Sequence, residues 1–465
     1  MKPTLPRGTR DYSPEMMLRR NYIIDTIKSV FKKFGFMPLE TPAMENLSVL
    51  MGKYGEEGDQ LLYKILNSGD FLSKTRAEDA GNGSKSFALK ISEKGLRYDL
   101  TVPFARYVVM NQNTISYPFK RYQIQPVWRG DAPQRGRYRE FYQCDADVVG
   151  TSSLICEAEI ILMMNEVLQN LQLNKENDKH LGYQIKINNR KILAGIAEIG
   201  GVLGKETDLC VAIDKLDKIG EEKVIQELLE RGFSADAIEK IKPIFAFNTT
   251  TNNNSEKIDF LKNFLKTSST GLQGILEIEK VFEYVESFTD KSATENNVML
   301  DITLARGLSY YTGAIFEVKV QNTAIGSISG GGRYDDLTGS FGLKDVAGVG
   351  FSFGLDRIYD VLEEFELFPA QDGASTQILI ANFEAEAEKY ALKTLKTLRD
   401  AGINAEIYPQ TLKLEKQLKY ANAKKIPFML MIGLDEVQSN ILTFKDMNAR
   451  TQEKLSVDEI IKKFV

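Results

Sequence analysis

Between residues 119 and 150, the sequence alternates side chains of the types that bind phosphates and amino acids. The runs RYQIQPVW and REFYQCDADVV flank a polar, glycine-containing tip, GDAPQRGRY, which predicts an antiparallel hairpin with Arg129 at the end of its first strand. The side chains that alternation assigns to one face of the second strand are Arg137, Arg139, Phe141, Gln143 and Asp147. This face could bind a nucleotide beside an amino acid, because guanidinium groups hold phosphate oxygens bidentately and keep their charge. From these residues alone, a solvated face of paired charges is the alternative.

The rest of the composition argues against several other chemistries. The single histidine, His180, follows a polar run and is predicted to lie on the surface, so we expect neither histidine catalysis nor a metal site. Cys144, Cys156 and Cys210 lack CxxC spacing, and three cysteines are typical of a reducing compartment. The phosphate loop GxxxxGKS/T is absent, so arginines are the natural alternative for binding phosphates.

Length and charge limit the class of protein. The chain has 465 residues, enough for two to four domains, and its 43% apolar and 26% charged residues are typical of globular proteins. The N-terminus lacks an apolar signal core and no run approaches about 20 apolar residues, so we expect a cytoplasmic protein without a membrane partner. The formal net charge of −5 means that a nucleic-acid partner would need a local basic surface.

The sequence pattern of helices and strands that must position these side chains predicts an α+β body on a mixed, mainly antiparallel sheet. A helix over 14–34 has Ser13 as N-cap and Gly35 after its end. The polar segment 67–95 is predicted to be a long mobile loop, and a helix follows over 152–171. Strand patterns return at NNVMLDITLA, AIFEVKV and AIGSIS, before the glycine-rich segment SGGGRYDDLTGSFG.

Two further parts are predicted from periodicity. Amphipathic helices dominate a helical insertion, and beyond the linker FPAQDGAST strands and helices alternate as in a small α/β domain with a largely parallel sheet. The predicted boundaries are 1–184 and 293–368 for the two parts of the catalytic body, 185–292 for the insertion and 373–465 for the α/β domain.

Several segments together resemble one known family. The hairpin resembles motif 2 of class II aminoacyl-tRNA synthetases, GFMPLETPAME resembles motif 1 with Pro42 at its proline, and GVGFSFGLDRI resembles motif 3 with Arg357 at its arginine. LARGLSYYTGAIFE (304–317) and SISGGGRYDDL (327–337) are similar to the two signatures of histidyl-tRNA synthetases, and LRYDLTVPFARY is similar to their amino-acid-binding segment. Three degenerate motifs in the expected order are more specific than any one of them.

The resemblance implies an enzyme that activates L-histidine with ATP and Mg²⁺ and transfers it to the 3′ end of tRNA-His. For ATP, it implies that Arg129 binds the α-phosphate, that Arg137 reaches the distal phosphates, and that Phe141 and Arg357 sandwich the adenine. The residues implied for histidine are Asp99, Thr101 and Gln143 at the α-amino group, Arg306 at the carboxylate and α-phosphate, Asp147 and Tyr311 at the imidazole, and Tyr310 alongside. Glycines 330–332 would let the backbone approach the amino acid.

The resemblance also implies partners. The C-terminal domain would bind the anticodon through a basic surface that includes Lys413, Lys416 and Lys419, while Gln134 and Arg135 reach the acceptor end. A homodimer is implied, with the motif 1 helix at its interface and Ile23, Ile27 and Phe31 as its apolar surface.

An alternative is a non-catalytic relative with a regulatory or tRNA-sensing role. Such a protein would have no reason to keep Arg129, Arg306 and Arg357 together with a complete C-terminal domain. Three positions depart from the family pattern: Asp131 and Asp147 stand where glutamate is usual, and Ser309 where aspartate is usual.

Overall fold

The computed structural model describes residues 2–174, 181–213, 215–251, 253–289, 297–305, 310–369 and 376–464. The chain forms two compact units, Met1–Leu367 and Phe368–Val465. Within the described residues, no helix combines the length and apolar character needed to cross a membrane. His180 and Arg306 lie outside the described residues.

An eight-stranded sheet organises the first unit. Its strands, in spatial order, are Met37–Pro38, Phe119–Trp128, Glu140–Val149, Gly348–Gly354, Ser329–Arg333, Ala314–Val320, Tyr183–Asn189 and Val298–Leu300. Only the first and last neighbouring pairs are parallel, so the prediction of a mixed, mainly antiparallel sheet is confirmed. A second, three-stranded sheet consists of Met44–Asn46, Lys94–Leu96 and Lys64–Ile65.

The first helix, Pro14–Lys33, packs on the large sheet. The hydroxyl of Ser13 accepts a hydrogen bond from the Met16 amide, and Gly35 takes a positive φ of 81° after the helix, as its position predicts. The ring of Phe31 lies 5.9 Å from that of Phe351 on the sheet. Ile23, Ile27 and Phe31 are 0% exposed, so our prediction that they form a dimer surface is wrong: they belong to the core of the single chain.

The other helices of the first unit fall into two groups. Those of the body are Leu47–Leu50, Gly55–Leu61, Ser84–Ile91, Thr101–Met110, Ile155–Asn170 and Leu355–Glu364. Those of the helical segment are Arg190–Gly200, Glu206–Ile213, Leu216–Ile219, Glu221–Glu230, Ala235–Thr250, Asn254–Phe264 and Ser269–Phe288. The range predicted as helical began at 185, but the strand Tyr183–Asn189 occupies its start, because Ile185 and Ile187 alternate into the core.

Residues 67–95 are not the long loop that their composition predicts. They contain a 3₁₀ turn over Ala77–Asn82, the helix Ser84–Ile91 and the start of a strand at Lys94. The amide of Asn67 donates to the carbonyl of Ile91, 2.9 Å away, and the Asn67 side chain accepts from the Glu93 amide at 2.9 Å. These two hydrogen bonds join the start of the segment to its end. The helix was not predicted because two turns of mixed polarity give no clear helical period in a polar stretch.

The glycine run lies within a strand rather than after one. We predicted a strand at AIGSIS, whereas the observed strand is Ser329–Arg333, paired with a neighbour on both sides. A Cβ atom on Gly331 would lie 2.2 Å from the carbonyl oxygen of Gly350. Glycine is therefore required here by the close approach of neighbouring strands.

The second unit has a five-stranded sheet covered by helices. Its strands, in spatial order, are Ala405–Ile407, Ile378–Ala381, Phe428–Met431, Leu442–Asp446 and Gln452–Leu455. Its helices are Glu388–Asp400, Leu414–Ala423, Leu434–Ser439 and Val457–Lys462. The first three strands are parallel and the last two pairs are antiparallel, so the prediction of a largely parallel sheet is wrong. The α/β class itself is confirmed. The final strand, Gln452–Leu455, is polar, so hydrophobic periodicity did not predict it.

Candidate active site

A cavity of about 380 Å³ opens over the large sheet, within the first unit. The predicted site residues that line it are Asp99, Thr101, Arg129, Arg137, Phe141, Gln143, Asp147, Tyr310, Tyr311 and Arg357. They come from the hairpin, from the helix that begins at Thr101, from the segment around Tyr310 and from the start of the helix Leu355–Glu364. Folding thus gathers into one cavity side chains that are more than 250 positions apart in the chain.

Arg129 is held at the wall of the cavity by contacts on several sides. Its Nε donates to the backbone carbonyl of Tyr98 at 3.0 Å, and its Nη2 donates to the amide oxygen of Gln143 at 3.3 Å. The guanidinium also lies over the Tyr98 ring, 4.3 Å from its centre, and 5.1 Å from the centre of the Phe141 ring. Such contacts fix the plane of a guanidinium, which favours bidentate binding of an anion.

Two more arginines occupy the end of the cavity nearest the hairpin tip. Arg357 donates from Nε to the carbonyl of Gly136 at 2.8 Å and from Nη1 to the carbonyl of Ser327 at 2.6 Å. Arg137 is half exposed and pairs with Asp131 at 3.0 Å. Asp131, one of the departures from the family pattern, is thus a partner of an arginine of the cavity.

The alternation predicted for the hairpin holds only within the observed strand. That strand begins at Glu140, so Phe141, Gln143 and Asp147 share a face that lines the cavity. Arg137 reaches the cavity from the turn, where it bridges to Gln134. Arg139 is not among the residues lining the cavity; its Nε donates to the carbonyl of Asp131 at 3.1 Å.

The cavity also carries a buried carboxyl among tyrosines. Asp99 accepts hydrogen bonds from the hydroxyl of Tyr54 at 2.9 Å, from the amide of Val102 at 3.1 Å and from the hydroxyl of Tyr310 at 3.4 Å. Burial raises the pKa of Asp99, although the Val102 amide and Arg129 oppose this shift. Burial also raises the pKa of Tyr54 and Tyr310, so both hydroxyls keep their protons as donors.

Asp147 lies at the base of the cavity between two partners. Arg121, its register partner on the neighbouring strand, approaches to 2.7 Å, and the hydroxyl of Tyr334 donates to its other oxygen. Burial raises the pKa of Asp147 and Arg121 opposes this shift. Burial likewise raises the pKa of Asp145, two positions earlier, to about 7. A carboxylate accepts several hydrogen bonds, so Asp147 retains acceptor capacity toward the cavity.

Glycines on two strands make room for this arrangement. Gly350 is the register partner of Asp147, and a Cβ there would lie 2.0 Å from a carboxyl oxygen of Asp147. A Cβ on Gly348 would lie 2.5 Å from the Tyr334 ring, and one on Gly332 would lie 2.7 Å from the Tyr311 ring. The absence of side chains on these strands therefore lets the carboxyl and the two tyrosines stand side by side.

Sequence reasoning missed four side chains of this network: Tyr54, Tyr98, Arg121 and Tyr334. A signal existed for Arg121, because it lies eight positions before Arg129 and the period of a strand puts both on one face. Tyr98 and Tyr334 stand inside segments that carry the family resemblance. Nothing in the sequence pattern marks Tyr54.

The residues predicted to contact tRNA lie outside the cavity. Gln134 and Arg135 are exposed at the hairpin tip, where Arg135 pairs with Glu364 at 2.9 Å. In the second unit, Lys413, Lys416 and Lys419 are exposed, and Lys419 pairs with Glu415 at 2.8 Å.

Comparison with known proteins decides the family. A sequence model of histidyl-tRNA synthetase matches residues 70–358, and one of an anticodon-binding domain matches residues 377–465. The chain belongs to the histidyl-tRNA synthetase family. Its relatives include the histidine–tRNA ligases of Cytophaga hutchinsonii, 55% identical over all of both chains, and of Christiangramia forsetii, 53% identical over 98% of this chain and 97% of the relative.

A solved structure supports the family at the level of fold and sequence. The crystal structure of histidyl-tRNA synthetase from Nostoc sp. PCC 7120 aligns with this member of the family over 100% of both chains, with a TM-score of 0.81 and 30% identity. The family model covers the hairpin, both histidine signatures and Arg357.

Proposed function

We propose that this protein is a histidine–tRNA ligase that works in two steps within the described cavity. In the first step, a carboxylate oxygen of histidine attacks the α-phosphorus of ATP, the bond to the β-phosphate breaks, and pyrophosphate leaves. In the second, the terminal ribose hydroxyl of the tRNA attacks the carbonyl carbon of histidyl-adenylate, and AMP leaves. The observation that carries the proposal is one cavity that is lined both by fixed arginines and by buried carboxyl groups that accept hydrogen bonds from tyrosines.

In the first step two anions must meet, so charge neutralisation is the main requirement. We assign Arg129 to the α-phosphate, because its guanidinium is already held flat against Tyr98. Arg137 is assigned to the distal phosphates, and its ion pair with Asp131 would open when they bind. Arg306 is assigned to the histidine carboxylate and the α-phosphate from the family resemblance alone. The attacking carboxylate is already nucleophilic, so this step requires no protein base.

Adenine recognition is assigned to Phe141 and Arg357. Both side chains line the cavity, and the hydrogen bonds of Arg357 to two backbone carbonyls fix its plane. A planar guanidinium and an aromatic ring can stack on the two faces of a purine. ATP is taken to enter as its magnesium complex, so the metal comes with the substrate.

Histidine recognition is assigned to the buried carboxyl groups and the tyrosines around them. Asp99, Thr101 and Gln143 would bind the α-amino group. The hydrogen bond from Tyr54 stabilises the charged form of Asp99, and a carboxylate favours a cation beside it. Asp147 would accept from one imidazole nitrogen and Tyr311 would donate to the other, with Tyr310 alongside. A neutral imidazole offers one donor and one acceptor, which matches a carboxylate and a hydroxyl.

For tRNA, we assign the anticodon to the second unit and the acceptor end to Gln134 and Arg135. A domain model of anticodon-binding proteins matches the second unit, and exposed lysines on its helix Leu414–Ala423 supply local positive charge. The same proposal places the protein in the cytoplasm.

We also propose a homodimer, now on different residues from those first expected. Met37 and Met44, which lie in the segment that resembles motif 1, and Met110 are exposed by 64%, 55% and 72%, so they are available for a contact between chains. Sedimentation at micromolar concentration is expected to give about twice the 52.4 kDa of one chain. A fully active monomer would contradict the dimer.

The decisive experiment is ATP–pyrophosphate exchange with each of the twenty amino acids, followed by charging of tRNA-His. Histidine alone should support exchange, and charging should require tRNA-His. A non-catalytic regulatory or tRNA-sensing protein would bind tRNA or histidine without exchange. Loss of exchange in Arg306→Ala with an unchanged melting temperature would support its assignment.

A further inference from the structure

Asp356, the residue before Arg357, receives hydrogen bonds from three distant segments of the chain. Its Oδ1 accepts from Arg10 Nη2 at 2.7 Å, from the Tyr12 hydroxyl at 2.8 Å and from Arg20 Nη1 at 2.6 Å. Its Oδ2 accepts from the Tyr142 amide at 3.0 Å. Its side chain is 3% exposed, so this carboxylate depends on protein donors.

The position of Asp356 connects the two residues assigned to adenine. Tyr142 directly follows Phe141 on the hairpin strand, and Asp356 directly precedes Arg357 at the start of a helix. The 3.0 Å bond between Asp356 and the Tyr142 amide therefore joins the two backbones beside the proposed adenine site. It extends the connection between the two segments beyond the register pair Gln143 and Gly354, where the strand pairing ends.

The N-terminal donors hold the carboxylate ionised and in place. Burial alone would raise the pKa of Asp356, but Arg20, the Tyr142 amide, Arg10 and Tyr12 outweigh it, and the pKa is lowered. Their positions are fixed in turn: the Arg20 guanidinium lies 3.9 Å from the centre of the Tyr12 ring.

Arg10 makes a second connection to the hairpin. Its guanidinium lies 4.1 Å from the centre of the Tyr138 ring, and its Nη1 donates to the Tyr138 hydroxyl at 3.0 Å. Tyr138 lines the cavity, whereas Arg10 and Tyr12 are not among the residues that line it. Both also precede residue 70, where the match to the family model begins.

We propose that Arg10 and Tyr12 are positioning residues for the nucleotide half of the active site, and that they act through Asp356 to hold Phe141 and Arg357 at the separation that adenine requires. The proposal rests on the proposed function, which assigns these two residues to adenine. It assigns a role in ATP binding to two N-terminal residues that are not among those lining the cavity.

The test compares Tyr12→Phe and Arg10→Lys with a matched control, Arg19→Lys. Tyr12→Phe removes one donor and keeps the ring beneath Arg20, and Arg10→Lys removes the planar fork. Arg19 lies on the same helix as Arg20 and contacts Glu363 of the same partner helix at 3.2 Å, but at the exposed surface. Steady-state pyrophosphate exchange gives KM for ATP, KM for histidine and kcat, and thermal unfolding gives Tm.

Both variants should raise the KM for ATP by about 3–10-fold, because removing a hydrogen bond to a charged group loosens the link. The KM for histidine should stay within about twofold, and Arg19→Lys should change neither constant. Unchanged constants, equal changes in both KM values, or a fall in Tm alone would overturn the proposal. If Arg10→Lys fails to fold, Tyr12→Phe carries the test.

Arg357→Ala separates this proposal from the proposed function. If Arg357→Ala raises the KM for ATP and the two N-terminal variants do not, only the positioning role is overturned. If Arg357→Ala leaves the KM for ATP unchanged, the adenine assignment fails and the positioning proposal fails with it. A rise in all three variants, with histidine KM unchanged, supports both.

Discussion

The guanidinium of Arg121 lies 2.7 Å from the carboxylate of Asp147, with the two side chains 0% and 3% exposed. The two residues are register partners on neighbouring strands, so the pair is set by the hairpin itself. Arg121 is thus a direct charge partner of the carboxylate assigned to the imidazole. A buried pair of this kind fixes the orientation of the carboxylate, because breaking it would leave an uncompensated charge.

Asp147→Asn should therefore weaken histidine binding selectively. We expect the KM for histidine in pyrophosphate exchange to rise by about tenfold or more, because an imidazole donor loses its charged acceptor. The KM for ATP should remain within about twofold. Asp145→Asn, which changes the next carboxyl on the same face, is the control. An unchanged histidine KM in Asp147→Asn would mean that another group reads the imidazole.

Arg129→Lys should reduce the rate of adenylate formation by about 10²–10³-fold. Lysine lacks the planar guanidinium that hydrogen bonds to Tyr98 and Gln143 hold in place. Arg139→Lys is the matched control, since Arg139 belongs to the same hairpin but is not among the residues lining the cavity. Single-turnover formation of the adenylate measures the rate of the chemical step in both variants. Equal losses would show that the hairpin needs arginine for its fold rather than for the α-phosphate.

Gly350→Ala should damage the histidine end of the site. The added Cβ would lie 2.0 Å from Asp147 Oδ1, so the carboxylate or the strand must move, at a cost of about 1–3 kcal/mol in unfolding free energy. The KM for histidine should rise together with this loss. Gly339→Ala is the control, because its Cβ meets nothing within 4 Å. Crystals of Gly350→Ala with an unmoved Asp147 would contradict the expectation.

Asp145 should make the free energy of unfolding fall as pH rises, which is the reverse of the usual contribution of a carboxyl group. Burial raises its pKa from 3.8 to about 7, so the folded state keeps a proton that the unfolded chain releases. Stability therefore falls as pH rises between these two values. Asp145→Asn abolishes this titration. The Tm of the variant minus the Tm of the wild type should increase from about pH 4 to about pH 7 and then stay constant. Asp11→Asn at an exposed position is the control, and a difference that does not vary with pH would refute the shift.

Lys413→Ala combined with Lys416→Ala should raise the KM for tRNA in charging without changing pyrophosphate exchange. Each lysine removed from a phosphate contact should also lower the slope of log affinity against log salt by about one, so the double variant should lower it by about two. The control is the pair Lys389→Ala and Lys393→Ala on the helix Glu388–Asp400, where both lysines are also exposed. If both pairs behave alike, the helix Leu414–Ala423 is simply a solvated face.

Much of the fold was predictable from local patterns. The helix at Pro14 follows from its cap, and the hairpin and the mainly antiparallel class of the large sheet follow from alternation, because these signals need only neighbouring residues. Predictions failed where one local sequence pattern is compatible with two different structures. Glycines 330–332 fit a turn as well as a crowded strand, and the apolar face of Ile23, Ile27 and Phe31 fits an interface as well as a core.

The sequence by itself determined the family and the reaction and pointed to ten of the side chains that line the cavity, since motif arginines and strand alternation are local properties. Only the tertiary structure decided their partners. Tyr334 reaches Asp147 across 187 positions, and Arg10 reaches Asp356 across 346. No periodicity encodes such pairs, because they arise when strands and helices distant in the chain pack together, and burial then decides which carboxyl groups are paired and which keep a proton.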